Sequence, residues 1–299
     1  MMVGETMDLK HVRRSYAAEI GLRAGVHSNS LLEALAEVPR ERFLKPGPWI
    51  IAGSSSGTPV QPQPTPDDDP IHVYQDVSVA LDVTRNLYNG APSVLAAWID
   101  ALDLHEGDRV FHLGGASGYY TAIVAKVVGP LGHVVMVEID EELGHLAQHS
   151  LQGWPNVEVV IGDGNLADPG PCDAMLVNAG VTHPDPLWLN RLNDGGRLLI
   201  PLTMEFPNSN LGKGALLKIT RQGAALTAQF LPSTTPVIVY SCSNGRDPLL
   251  NQRLLTAFTT GFQRMGEVRS LRLDQHHQDS SCWVHTEMMC LSCERATVV

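Results

Sequence analysis

The feature that most constrains this chain is the alternation of strand and helix patterns between residues 92 and 202. Helical periodicity lies over residues 92–104, 117–129 and 141–154, and apolar runs lie over 109–115, 133–140, 157–164, 172–180 and 196–202. Strands that alternate with helices of this length predict βαβ units and a parallel sheet. A hairpin pattern over 215–231 and later strands over 237–242, 270–274 and 281–291 add an antiparallel edge. We therefore expect an α/β fold, a Rossmann-like doubly wound and mostly parallel sheet of about seven strands.

Two segments precede this region. Residues 1–44 predict an N-terminal helical segment, in which Ser28 or Ser30 can cap a helix. Residues 45–70 hold seven of the chain's 20 prolines together with a Gly/Ser run and three aspartates, which predicts a loop or linker. Residues 71–299 then form the main domain with a C-terminal extension.

Charge and composition exclude several classes of partner. The formal net charge is -11, which argues against a broad surface for nucleic acid or an anionic membrane. The sequence has neither an apolar run of transmembrane length nor the apolar core of a signal peptide. Five scattered cysteines fit reduced thiols better than a disulfide framework. We expect a cytoplasmic protein and leave its oligomeric state open.

A glycine-rich turn follows the first predicted strand of the alternating region. Gly114, Gly115 and Gly118 let the backbone approach a ligand closely, and the following helix presents its N–H groups to an anion. Ala116 lies at the centre of the turn, and Ser117 is predicted to cap the helix. Many turns contain glycine for shape alone, so this signal is weak by itself.

Acidic residues at the next two strand ends strengthen the signal. Glu138 lies 24 residues after Gly114, where a carboxylate can accept both hydroxyls of a ribose. Asp163 ends the third strand, where it can reach the amino group of an adenine. A solvated glutamate and an ordinary Asp-Gly turn are the plain alternatives. Three such signals at consecutive strand ends predict a nucleoside-type cofactor at the switch point of the sheet.

The spacing of the glycines discriminates between cofactors. Nicotinamide dinucleotides require G-x-G-x-x-G, whereas here the last glycine, Gly118, comes one position early and Ala116 replaces the central glycine. The turn instead fits the G-x-G-x-G pattern of methyltransferases with one change from glycine to alanine. This disfavours a nicotinamide-dependent oxidoreductase.

Six segments in the same order resemble the protein-L-isoaspartate O-methyltransferase family over residues 30–205. They are VPRERFL at 38–44, Tyr74-Gln75-Asp76, Ala91-Pro92, RVFHLGGASGYYTA at 109–122, NVEVVIGDG at 156–164 and GGRLLIPL at 195–202. The resemblance implies a Rossmann-like enzyme that uses S-adenosylmethionine and releases S-adenosylhomocysteine. It implies cofactor contacts at His112, Gly114, Gly115, Ala116, Ser117, Gly118, Glu138, Ile139, Asp163, Gly164 and Asn178.

Two departures concern the acceptor and the first motif. Where the family has a serine before its conserved proline, this chain has Gly90, and the stretch before it is longer. His112 replaces an acidic residue, and it either contacts the cofactor's amino acid moiety or is a buried core histidine. We expect weak or no methylation of isoaspartyl peptides. The candidate acceptor contacts are Tyr88, Asn89 and Asp76, with His183 after the fourth strand as a further candidate.

Three functional hypotheses follow. The first is O-methylation of a carboxylate on a protein, peptide or small molecule, which needs no general base because the acceptor is ionised at pH 7. The second is a small-molecule N- or O-methyltransferase, and the third is a non-catalytic S-adenosylmethionine-binding module. At the C-terminus lies a cluster of potential ligands, His276, His277, Cys282, His285, Cys290 and Cys293, but it contains a single CxxC without a second pair, so the sequence predicts no metal site.

Overall fold

The structure is a computed structural model that describes residues 8–55, 58–205, 211–233, 236–242 and 244–296. Two compact units divide the chain. The first comprises Met1–Gly107 and Gly115–Ile161, and the second comprises Asp108–Gly114 and Gly162–Val299. Among the described residues, no helix has both the length and the apolar character that a membrane span requires.

The first unit contains five helices and six strands within its described residues. The helices are α1 (Leu9–Ala24), α2 (Asn29–Glu37), α3 (Pro92–Ala101), α4 (Tyr119–Val128) and α5 (Glu141–Ser150). The strands are β1 (Ile50–Ser55), β2 (Thr58–Pro64), β3 (Val77–Asp82), β4 (Leu87–Tyr88), β6 (His133–Glu138) and β7 (Val157–Ile161). Single 3₁₀ turns lie at Arg40–Phe43 and Pro70–Val73.

Helical structure begins where the sequence predicts it. Ser28, rather than Ser30, caps α2, because its side chain accepts a hydrogen bond from the amide of Leu31 at 3.2 Å. Helix α1 ends at Gly25, whose φ of 64° is the left-handed conformation that glycine adopts without strain. Both helices bury apolar side chains within the unit, Ile20 from α1 and Leu31 from α2 among them.

The prediction of a loop over residues 45–70 is wrong for β1 and β2. These strands pair antiparallel in a four-stranded sheet of order β2-β1-β3-β4, so β2 is an edge strand. Prolines are tolerated there because an edge strand has a neighbour on one side only. The amide of Thr65 donates to the carbonyl of Trp49 at 2.7 Å, so the adjacent pair Ile50–Pro64 is a non-hydrogen-bonded pair. The nitrogen of Pro64 therefore faces away from β1.

The second unit is a mixed sheet. Its strands are β5 (Arg109–Leu113), β8 (Cys172–Val177), β9 (Leu192–Glu205), β10 (Leu211–Gln222), β11 (Ala225–Phe230), β12 (Val237–Tyr240), β13 (Ser270–Arg272), β14 (Cys282–His285) and β15 (Cys290–Ser292). Its helices are α6 (Pro186–Arg191) and α7 (Pro248–Thr260), with a 3₁₀ segment at Phe262–Glu267. Strands β5, β8 and β9 run parallel, and β9, β10 and β11 continue antiparallel.

The predicted α/β class with parallel strands is confirmed: β5, β8 and β9 run parallel in the second unit, and β6 and β7 run parallel in the first. The antiparallel edge continues beyond β11 through β13, β15 and β14, in the segments where the sequence predicted its later strands. The sequence indicated one strand over 281–291. The structure divides it into β14 and β15, with the amide of Thr286 donating to the carbonyl of Met289 at 2.9 Å in the turn between them.

Candidate functional site

In the first unit, the glycine-rich turn is held close to the strand behind it. A Cβ on Gly115 would lie 2.6 Å from Cγ of Met136, so only glycine fits against that side chain. Gly118 donates its amide to the carbonyl of Gly115 at 2.9 Å and has a φ of 92°. Ala116 has a φ of 51°, a left-handed conformation that side chains rarely adopt. The central alanine therefore adopts a backbone conformation that glycine favours.

Glu138 is bound to this turn by its carboxylate. The amide of Ala116 donates to Oε2 at 2.8 Å, and the amide of Asp140 donates to Oε1 at 3.0 Å. The residue is 6% exposed, and burial raises its pKa while the amide hydrogen bonds oppose that shift. Each carboxylate oxygen can accept a second hydrogen bond, so the group is oriented and still able to bind hydroxyls.

The neighbours of Glu138 and Ala116 differ in their exposure. Ile139 is 56% exposed directly after the end of β6, so it offers an apolar surface beside the carboxylate. Ser117 is buried, and the prediction that it caps α4 is wrong. The N-cap is Gly118, and no described side chain forms a hydrogen bond there.

In the second unit, His112 and Asn178 lie at the ends of β5 and β8. The Nδ2 amide of Asn178 donates to Nε2 of His112 at 2.9 Å, which requires a neutral ring with its proton on Nδ1. Burial lowers the pKa of His112 to about 4, in agreement with that state. Oδ1 of Asn178 is buried and has no hydrogen-bond partner within the described residues. Gly114 lies beside Asn178 with a φ of 73°.

The loop after β7 presents Asp163. Its Oδ1 accepts from the amide of Asn165 at 2.9 Å, and Nδ2 of Asn244 donates to its Oδ2. Gly164 packs against Leu113 of β5 so closely that a Cβ would overlap that side chain. Nothing in the sequence indicates this role of Asn244, because it lies 81 residues from Asp163 in the chain.

The candidate acceptor residues lie in the first unit, before α3. Asp76 accepts from the amide of Ser93 at 2.9 Å and from its hydroxyl at 2.7 Å. Both carboxylate oxygens thus hold the first turn of α3, where an unpaired amide would otherwise remain. Tyr88 is half-buried on β4 opposite Ala80 of β3.

Asn89 is 7% exposed and binds a buried arginine. Its Oδ1 accepts from Nη2 of Arg40 at 3.2 Å and from the amide of Val79 at 2.9 Å. Its Nδ2 is buried without a partner in the described part of the chain. Arg40 is 0% exposed, and its guanidinium also donates to the carbonyls of Val73 and Val77, each at 2.7 Å. The sequence analysis identified Arg40 only as part of the family motif VPRERFL and predicted no role for its side chain.

Gly90 takes the place of the family's serine and has a φ of 76°. The hydroxyl of Tyr120 donates to its carbonyl at 3.2 Å. A Cβ at this position would lie 2.7 Å from Cδ2 of Leu95. His183, the other candidate, lies in the second unit with its Nδ1 3.0 Å from Oγ1 of Thr182, and burial lowers its pKa.

Comparison with known proteins agrees with these features. The model of the family "Protein-L-isoaspartate(D-aspartate) O-methyltransferase (PCMT)" matches residues 66–223, more than half of the chain. A protein-L-isoaspartate O-methyltransferase of Methanothrix thermoacetophila is 33% identical over 180 residues, 58% of this chain and 74% of the relative. Protein-L-isoaspartate O-methyltransferase 2 of Pelobacter propionicus is 33% identical over 204 residues, 67% of this chain and 76% of the relative.

Two solved structures share the fold. One, named protein-L-isoaspartate O-methyltransferase, has a TM-score of 0.62 at 23% identity and covers 81% of this chain and 69% of its own. Another, from Plasmodium falciparum, is described as such an enzyme in complex with S-adenosyl-L-homocysteine. It has a TM-score of 0.57 at 17% identity, and the match covers 77% of this chain and 98% of the solved one. The chain therefore belongs to the protein-L-isoaspartate(D-aspartate) O-methyltransferase family, a family of S-adenosylmethionine-dependent methyltransferases.

Proposed function

We propose that this protein transfers the methyl group of S-adenosylmethionine to a carboxylate of a protein or peptide. The observation that carries the proposal is the buried carboxylate of Glu138, which the amide of Ala116 ties to the glycine-rich turn. A buried carboxylate with spare acceptor capacity suits a pair of ribose hydroxyls. Family membership supports the carboxylate as acceptor.

The residues of each unit fit parts of this cofactor. In the first unit, Glu138 suits the ribose and exposed Ile139 suits the face of the adenine. In the second unit, the unpartnered Oδ1 of Asn178 is an acceptor suited to an ammonium group, and Asp163 suits the adenine amino group. The full proposed set is that of the sequence prediction: His112, Gly114, Gly115, Ala116, Ser117, Gly118, Glu138, Ile139, Asp163, Gly164 and Asn178.

The reaction requires orientation more than acid–base chemistry. S-adenosylmethionine supplies a methyl group activated by its sulfonium. The acceptor oxygen forms the new bond to carbon as the carbon–sulfur bond breaks, leaving a methyl ester and S-adenosylhomocysteine. A carboxylate is already ionised at pH 7, so no side chain has to remove a proton. The protein holds the acceptor in line and excludes water.

Among the candidate acceptor contacts, the hydrogen bonds favour Asn89. Its buried Nδ2 has no partner among the described residues and can donate to a carboxylate. Asp76 binds the amide and hydroxyl of Ser93 and carries the same charge as an acceptor carboxylate, so we assign it the role of positioning α3 rather than touching the acceptor. Tyr88 stays a proposed acceptor contact. All five cysteines are free, which fits the proposed cytoplasmic location.

Methyl transfer to defined peptides tests the proposal. Radiolabelled S-adenosylmethionine is supplied with an isoaspartyl peptide, its aspartyl counterpart and a peptide whose only carboxylate is the C-terminal one. We expect label that base releases as methanol, because carboxyl methyl esters hydrolyse and N-methyl groups do not. We expect the isoaspartyl peptide to be a weak acceptor because Gly90 has no hydroxyl. Base-stable label, or no transfer to any of the three peptides, would contradict the proposal.

Substitution of Glu138 by glutamine is expected to weaken binding of S-adenosylhomocysteine by about 1–3 kcal/mol, a factor of roughly 5–150 in the dissociation constant. The amide keeps one acceptor oxygen but replaces the other by a donor that faces the amide of Ala116 or a ribose hydroxyl. Calorimetric titration measures the change, with Glu141→Gln on the exposed start of α5 as control. Unchanged affinity in Glu138→Gln, or binding of NAD instead, would refute the assignment.

Restoring the family's serine at Gly90 is expected to destabilise the protein rather than to improve turnover. A left-handed φ costs a non-glycine residue about 1–2 kcal/mol, and the new Cβ would also overlap Leu95. Gly25→Ser is the matched control, since Gly25 has a φ of 64° and a Cβ there would meet no described atom within 4 Å. Thermal unfolding of both variants separates the overlap from the backbone cost. A Gly90→Ser protein as stable as the wild type would show that this interpretation is wrong.

A further inference from the structure

Four metal-ligating side chains of the second unit converge near its C-terminal strands. They are His276, Cys282, His285 and Cys290, and one ligand atom of each lies within 4.8 Å of the ligand atoms of the other three. Their spacing in the chain is H-x5-C-x2-H-x4-C. None of them belongs to the set of residues proposed to bind the cofactor or the acceptor.

The ligands come from two strands and the segment before them. Cys282 and His285 lie on β14. Cys290 lies on the neighbouring strand β15, where it is paired with His285. His276 lies between β13 and β14. Sγ of Cys282 is 3.7 Å from Nε2 of His276 and 3.9 Å from Nδ1 of His285. A tetrahedral zinc ion with ordinary bond lengths places sulfur and nitrogen ligands about 3.6 Å apart, so these distances need little adjustment.

The second nitrogen of His276 is already engaged. Its Nδ1 lies 2.9 Å from the carbonyl oxygen of Asp274, which accepts a hydrogen bond from it. That bond places the proton on Nδ1 and leaves the lone pair of Nε2 directed towards Cys282. Metal-bound histidines commonly donate their other N–H to a carbonyl in this way. The ring is therefore oriented for coordination before any metal binds.

The thiols of Cys282 and Cys290 are buried and form no disulfide. Cys290 is 0% exposed and Cys282 is 5% exposed, and no cysteine among the described residues forms a disulfide. Cys293, the other member of the CxxC, lies outside the cluster, and Nη2 of Arg264 is 3.3 Å from its Sγ. The sequence prediction of no metal site included these residues but rejected them because the CxxC of Cys290 and Cys293 has no second pair. The structure instead combines Cys290 with a cysteine and two histidines that precede it.

We propose that His276, Cys282, His285 and Cys290 form a tetrahedral site for a divalent transition metal of the zinc class. Two thiolates and two imidazoles are the donor set of closed structural zinc sites. Four protein ligands fill the coordination sphere, so the site stabilises the fold and leaves no position for substrate. Strands of three and four residues have few hydrogen bonds of their own, and the metal cross-links them to the segment that carries His276.

Metal titration of the full chain tests the site. The protein is made without a histidine tag, stripped with a chelator under reducing conditions and titrated with Co²⁺ and then with Zn²⁺. We expect one equivalent per chain and a thiolate-to-cobalt charge-transfer absorption that Zn²⁺ abolishes. Cys282→Ser and Cys290→Ser are expected to lose that absorption. Cys293→Ser is the matched control, and we expect it to bind as the wild type does.

A variant outside the strands keeps the test valid if the cysteine variants fail to fold. His276→Ala changes a residue of the segment before β14, and competition with a chromogenic chelator is expected to show affinity reduced by more than the roughly 10–100-fold that loss of an outer-shell partner costs. Fewer than about half an equivalent bound by the reduced wild type would overturn the proposal. So would equal loss of binding in Cys293→Ser, or a Cys282–Cys290 disulfide in protein purified under reducing conditions.

Discussion

Replacing Arg40 by methionine is expected to lower the free energy of unfolding by about 3–5 kcal/mol, because several buried oxygens lose a charged donor at about 1–3 kcal/mol each. The guanidinium is fully buried and donates to the carbonyls of Val73 and Val77 and to Oδ1 of Asn89. Its Cζ also lies 5.7 Å from the ring centre of Tyr119. Methionine fills a similar volume but donates no hydrogen bond to the carbonyls of Val73 and Val77, and Oδ1 of Asn89 keeps only the amide of Val79 as a donor.

Denaturant unfolding measures the loss. Arg14→Met is the control, because Arg14 is exposed on α1 and such substitutions change stability by less than about 0.5 kcal/mol. The stability of Arg40→Lys is expected to lie between that of the wild type and that of Arg40→Met. A single ammonium group cannot reach all the oxygens that the planar guanidinium reaches. Equal stability of Arg40→Met and Arg14→Met would contradict the assignment.

Acidification from pH 7 to pH 5 is expected to lower the free energy of unfolding by about 2 kcal/mol through His112 alone. Burial lowers the pKa of this histidine to about 4 in the folded protein, whereas an unfolded histidine titrates near 6.5. Between these values the unfolded chain binds a proton that the folded chain does not. The stabilising effect is complete above pH 6.5 and is lost as the pH falls towards 4.

The variant His112→Gln isolates this effect. Glutamine can accept from Asn178 with its carbonyl oxygen and does not titrate. Other groups also titrate in this range, so the measured quantity is the difference between wild type and variant in the change from pH 7 to pH 5. The same pH dependence in both proteins would mean that His112 is not the buried neutral base described here.

The part of the candidate site that depends on local sequence could be predicted. The turn from Gly114 to Gly118 and the carboxylate of Glu138 follow from strand ends and glycine spacing, and both signals lie within short segments. The structure adds that Ala116 adopts a left-handed conformation, which glycine favours. Glu138 is also more buried than a strand end suggests, so its replacement by alanine would destabilise the fold as well as the cofactor site.

The parts that depend on distant contacts could not be predicted. The partners of Arg40 lie 33 to 49 residues away, and Asn244 lies 81 residues from Asp163. The four-ligand cluster depends on the turn that separates β14 from β15. The sequence pattern over 281–291 indicated one continuous strand and therefore did not predict that turn. In each case the sequence shows the residue type, but the fold determines which groups meet.

The prolines of β2 have a consequence for how molecules of this protein behave towards one another. An edge strand with free N–H groups invites a strand from a second molecule, which is the first step of aggregation. Pro64 has no N–H on the outer side of β2, and Pro59 occupies the equivalent position because the register shift between Ile51 and Gly53 preserves the alternation. The composition that resembles a linker is thus expected to disfavour the addition of a strand from a second molecule along β2.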